Sequence, residues 1–124
     1  MVTRAVLLIV GLSHALPGLL ILLVPRWFYD NVGTFPPYNP HFLGDAGAFE
    51  LPVGVALMAA ATDPLRHRWL ILLGAAASLL HFANHLLGSL EGGGQWLLTA
   101  AVGVPAAALV GVLWIQRPSP PAAV

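Results

Sequence analysis

Apolar residues run almost unbroken through four stretches of this chain, 5–24, 42–62, 69–90 and 96–115, and polar residues gather between them. Each stretch holds about twenty residues, which at a helical rise of about 1.5 Å per residue spans the roughly 30 Å hydrocarbon core of a bilayer. A membrane barrel strand would alternate polar and apolar positions. These stretches are apolar on nearly every face, and lipid requires each crossing to satisfy its own backbone, as a helix does. The pattern predicts an all-α fold, a four-helix up-down transmembrane bundle over residues 1–116. A proline-rich tail, 117–124, is expected to be disordered and cytoplasmic.

The links carry the turn formers. Residues 25–41 include Asp30, Asn31, Gly33, Pro36, Pro37, Asn39 and Pro40; Asp63-Pro64 opens the second link, and Glu91-Gly92-Gly93-Gly94 forms the third. Asn39 is expected to cap the second crossing, with Pro40 at its first helical position. The first link is longer than the 2–8 residues usual between helices, and its aromatic residues make it a candidate lid. The first apolar stretch exceeds a signal-peptide core of roughly 7–15 residues and lacks a small-residue cleavage motif, so it is read as a retained helix.

Composition agrees with lipid as the solvent. The chain is 58% hydrophobic and 8% charged, against roughly 25% charged in an ordinary soluble domain. Zero net charge gives no footprint for nucleic acid, and without cysteine there are no disulfides or thiolate metal sites. Arg4, Arg66, Arg68 and Arg117 fall on one side of the bundle and Arg26 on the other, which by the positive-inside rule puts both termini in the cytoplasm and the protein in the inner membrane. Trp27 and Trp96 then mark the outer boundary, Trp69 and Trp114 the inner one.

Against this background His14, Asp45, Glu50, His81 and His85 stand out, because ionisable groups at membrane depth are costly and usually face a bundle interior. Counting rise along each helix puts His14, Glu50 and His81 in a deep tier, with Asp45 and His85 nearer the outer boundary. His81 and His85 share a face, with Ser78 a turn below and Asn84 beside them. Asp45 is rotated by about 140° from Glu50 on a regular helix. Gly11 and Gly18 flank His14, and Gly47 and Gly54 flank Glu50, a spacing that suits a cavity or a tight helix contact. Gly103, Ala107 and Gly111 form a small-residue edge on the last helix. Pro17, Pro52 and Pro105 each free a carbonyl one turn earlier.

Several chemistries fit this set. In acid–base work on a lipophilic molecule, Glu50, His81, His14 and Asp45 are the catalytic candidates. Asn84, His85, Ser78, Gln95, Tyr38 and Phe35 would contact the ligand. Isomerisation or cyclisation of an isoprenoid-, sterol- or quinone-like compound suits an apolar pocket with a few polar groups. Alternatively, His81, His85 and Glu50 could hold one divalent transition metal, zinc, iron, copper or manganese, whose charge two buried carboxylates would balance. Bis-histidine haem ligation from His14 and His81 or His85 is a third arrangement, disfavoured by the carboxylates. A fourth makes the polar groups structural glue in a non-catalytic accessory subunit, in a homo-oligomer or a larger membrane complex.

The four-crossing plan, with the segment Gly33-Thr34-Phe35-Pro36-Pro37-Tyr38-Asn39-Pro40-His41-Phe42-Leu43-Gly44-Asp45, resembles small DoxX-like membrane proteins of actinobacteria. The resemblance implies association with a membrane oxidoreductase complex, and hence a quinone or an electron-transfer partner. It assigns no catalytic residue.

Overall fold

A computed structural model of the chain describes residues 1–34 and 36–116. The predicted lid residue Phe35 and the predicted tail 117–124 lie outside the described residues. Five α-helices follow one another: α1 (Val2–Leu23), α2 (Pro25–Asn31), α3 (Pro40–Ala60), α4 (Arg68–Gly88) and α5 (Trp96–Ile115), with no strand among the described residues. All but α2 are long and apolar enough to cross a membrane. The fold is a helical bundle of a multi-pass membrane protein. Large apolar side chains such as Ile9, Leu73, Leu80 and Val104 stay exposed on its outside, as lipid-facing residues do.

Local chemistry sets the helix limits. Pro25 starts α2 immediately after α1 ends, so part of the first link is helical rather than loop. The Asn39 side chain accepts from the backbone N–H of His41 and of Phe42, each at 3.1 Å, and Pro40 occupies the first turn of α3. Beyond α4 the chain widens into a π turn at Ser89–Gly93, and left-handed Gly92 and Gly94 then reverse it.

Helices that are neighbours around the bundle pack in the order α1, α3, α4, α5 and back to α1, so α1 lies diagonal to α4 and α3 to α5. The pair α1 and α3 is the most intimate. A Cβ on Gly54 would run into the backbone of Gly11 and Ala15, and one on Gly18 would sit 2.5 Å from the Leu51 nitrogen. The four flanking glycines therefore serve close backbone approach and not open space. On α5 only part of the small-residue edge works this way: Gly103 receives the Phe82 ring, whereas nothing lies within 4 Å of a Cβ at Gly111.

The core is uneven along the bundle axis. At the end that holds the N-terminus and the α3–α4 link, Leu7, Val10, Leu57, Ala60, Ile71, Ala75, Leu109 and Val112 join all four long helices in one buried cluster. At the opposite end the buried cluster is Ile21, Phe28 and Leu43, from α1, α2 and α3. The α1–α3 pair and the α4–α5 pair are thus bolted together at one end and leave a hollow between them at the other.

Candidate functional site

The hollow is a cavity of about 520 Å³. Its wall is largely apolar, with Ile21, Phe28, Phe42, Phe49, Leu98 and Val102 among the contributors. Polar groups come from three helices: Ser13 and His14 on α1, Glu50 on α3, and Ser78, His81, Asn84 and His85 on α4. Pro17 and Pro105 line it too, each with the residue one turn earlier, Ser13 and Ala101. Proline leaves those two residues' carbonyls without their helical donor.

Five side chains form one continuous polar chain against this cavity. A carboxylate only accepts hydrogen bonds, so each imidazole that meets Glu50 does so through a protonated nitrogen. His14 Nδ1–H donates to Glu50 Oε2 at 2.6 Å, and His81 Nδ1 stands 3.0 Å from Glu50 Oε1. With Nδ1 protonated, His14 Nε2 accepts from the Ser78 hydroxyl at 2.9 Å. At the other end His81 Nε2 and His85 Nε2 face each other at 3.0 Å, with their ring centres 4.8 Å apart. Two nitrogens at that distance share a proton: one donates and the other keeps its lone pair.

Depth differs along the chain. Ser78 is 1% exposed and His14 8%, while the His81 side chain is 35% exposed. The chain therefore runs from a closed inner end at Ser78 to an open end at the His81–His85 pair. Each Glu50 oxygen meets an imidazole, Oε2 that of His14 and Oε1 that of His81, the pairing by which ionisable groups persist in a membrane interior.

The π turn supports the open end. Ser89 Oγ–H donates to Thr99 Oγ1 at 2.8 Å, and the Thr99 hydroxyl in turn reaches the His85 carbonyl at 3.2 Å. Thr99 thus ties the carrier of His85 to α5.

The other sequence candidates lie elsewhere. Asp45 does not join the cluster: its side chain is 62% exposed and 3.7 Å from His41 one turn away. The 140° rotation from Glu50 is the physical reason, since Glu50 and Asp45 cannot both face the cavity from a regular helix. Gln95 is exposed at the start of α5, where its backbone carbonyl accepts from Thr99. Tyr38 packs edge-on against Tyr29 at 5.1 Å, beneath the Arg26 guanidinium. Arg26 is bonded to Asp30 at 2.8 Å, a partner that raises its affinity for its proton, so it is a fixed cation over both rings. This small stack fastens α2 and the following loop beside the cavity mouth, where Phe28, Val32 and Gly33 form the wall.

Among the described residues no group of three His, Asp or Glu is placed to hold a metal ion. The second carboxylate that would balance its charge, Asp45, has turned away, and both His81 nitrogens meet protein partners. Both His14 nitrogens are likewise engaged, by Glu50 and Ser78.

Sequence reasoning passed over most of the wall. Ala46, Phe49, Leu98, Ala101 and Val102 lie in uniformly apolar stretches, where a residue facing a cavity reads the same as one facing lipid. Compared with known proteins, the chain matches no family model, no curated protein and no solved structure.

Proposed function

We propose that this membrane protein takes a lipophilic small molecule into the cavity and moves a proton between two of its carbon atoms. The observation that carries the reading is the continuous Ser78–His14–Glu50–His81–His85 chain, which ends in a shared-proton pair on an apolar cavity wall. The volume lies within the range of roughly 300–1,000 Å³ typical of small-molecule sites.

In this mechanism, substrate entry parts the His81–His85 contact and presents one lone pair and one N–H side by side. The lone pair takes a proton from a carbon adjacent to a double bond or carbonyl. The electron pair of that C–H bond shifts into the π system, and a new C–H bond forms at a different carbon with a proton from the pair. The sum is an isomerisation that needs no oxidant, water or other co-reactant. Glu50 holds the His81 Nδ1–H in place and stabilises the imidazolium while it lasts, as the carboxylate of a histidine dyad does. His14 and Ser78 orient Glu50. The DoxX-like resemblance is compatible with a quinone-like molecule but assigns no residue to it. An inner-membrane setting with both termini cytoplasmic, from the arginine distribution, completes the reading.

The test does not require the substrate's identity. Protein purified in deuterated buffer is extracted with organic solvent, and co-purifying lipophilic molecules are examined by mass spectrometry for deuterium bound to carbon. Wild type is expected to enrich one compound and deuterate it. Glu50→Gln should still enrich it but deuterate it at least about a hundredfold more slowly, the scale of general acid–base catalysis. Enrichment with equal deuteration in both would refute the mechanism.

A second reading draws on the fact that the same contacts join α1, α3 and α4. In that case the cluster only holds the open end together, and the chain serves as an accessory subunit of a larger complex. Glu50→Gln would then weaken the fold or its assembly, and no compound would be enriched.

A further inference from the structure

A second hollow lies on the outside of the α4–α5 pair, away from the polar chain. It is a groove of about 400 Å³ whose wall includes Arg68, Leu72, Ala76, Leu79, Val110 and Trp114. Everything along it is apolar except its end, where Arg68 begins α4. The Arg68 Nε atom is buried and has no hydrogen-bond partner among the described residues. A guanidinium N–H in that condition is costly unless something outside the chain accepts from it.

The dimensions identify what would. From Arg68 to Leu79 the helix rises about 16 Å at 1.5 Å per residue. One leaflet of a bilayer has about 15 Å of hydrocarbon, half of the roughly 30 Å core. The groove therefore begins at a charge and ends one leaflet deeper. Trp69 and Trp114 are exposed at the charged end, 80% and 63% respectively, and mark that level as the membrane–water boundary. Arg4 and Arg66 are exposed at the same end of the bundle and make it attractive to negative headgroups.

We propose that this groove is a binding site for one anionic phospholipid, with its phosphate on Arg68 and an acyl chain lying between α4 and α5 down to Leu79. The guanidinium fork matches phosphate oxygens and supplies charge-assisted hydrogen bonds. The apolar wall gives the chain a seat that a free anion could not use. The proposal does not depend on the chemistry of the cavity.

Native mass spectrometry of the detergent-solubilised protein tests it, with equal amounts of phosphatidylglycerol and phosphatidylcholine of identical acyl chains. One phosphatidylglycerol per chain is expected to survive detergent removal. Arg68→Gln should lower that occupancy about tenfold, the scale of one lost charge-assisted hydrogen bond, and Arg66→Gln should leave it unchanged. Ala76→Phe, which fills the groove from an exposed position, should lower it comparably while the circular dichroism spectrum stays helical. Equal retention of phosphatidylcholine would overturn the proposal, as would equal losses in Arg66→Gln and Arg68→Gln, which would mean a diffuse charge effect. An unaffected Ala76→Phe, or displacement of the lipid by millimolar inorganic phosphate, would reduce the site to a simple anion contact and overturn it too.

Discussion

Ser78 and Ser13 show how differently one residue type can act within the same hollow. The Ser13 hydroxyl bonds back to the Val10 carbonyl of its own helix at 2.8 Å, whereas Ser78 is the only partner recorded for His14 Nε2 among the described residues. Replacing Ser78 with alanine would leave a buried ring nitrogen without its partner. We expect Ser78→Ala to cost about 1–3 kcal/mol, the penalty of a buried unsatisfied polar group, read as a lower midpoint in SDS-induced unfolding. Ser13→Ala should change the midpoint by no more than a few tenths of a kcal/mol, because the backbone carbonyl keeps its helical bond. At this scale the sequence was legible where spacing carried the signal. His81 and His85 at i and i+4 had to share a face, and their nitrogens do meet. It was illegible where the partner comes from another helix, since nothing along the chain tells Ser78 that His14 is its neighbour.

Among the elements, the four long helices could be read directly from apolar run length, and their observed bounds lie within three residues of the expected ones. The short helix α2 was missed because Pro25-Arg26-Trp27 reads equally as a link or as a helix start, and it has too few residues for a periodicity. The glycines were ambiguous for a different reason: small residues permit both a void and a close approach, and only the geometry of the partner decides. In α1 and α3 it decides for contact. Gly54→Leu is accordingly expected to push α1 and α3 apart and destabilise the bundle by about 1–3 kcal/mol or more. It should also break the His14–Glu50 bond, since each partner sits one turn from a contact glycine. Gly111→Ala, with open space at its Cβ, should be neutral or stabilising by up to about 1 kcal/mol. Unfolding midpoints of the two variants in the same detergent separate these outcomes, and equal losses would contradict the packing described.

For the whole molecule, the uneven core makes the two ends of the bundle functionally unlike. A chain without cysteine allows this to be measured cleanly, because any introduced thiol is the only one present. In reconstituted vesicles, Ser13→Cys and Val102→Cys should react with a membrane-impermeant maleimide applied on the side that carries α2, and not from the opposite side. Leu109→Cys should react from neither. Labelling of the first two from the far side would show that the hollow opens the other way.

The sealed end has one more consequence. Imidazole and carboxyl groups strung together at mid-bilayer are the parts from which proton pumps and relays are made. Below Ser78, however, Leu7, Leu57, Ile71 and Leu109 are each 0% exposed and offer no group on which a proton could rest. The protein should therefore be an electrical insulator despite its string of titratable rings. Vesicles containing it will hold an imposed pH gradient as long as vesicles of lipid alone, and a faster decay would reveal a path through that hydrocarbon plug.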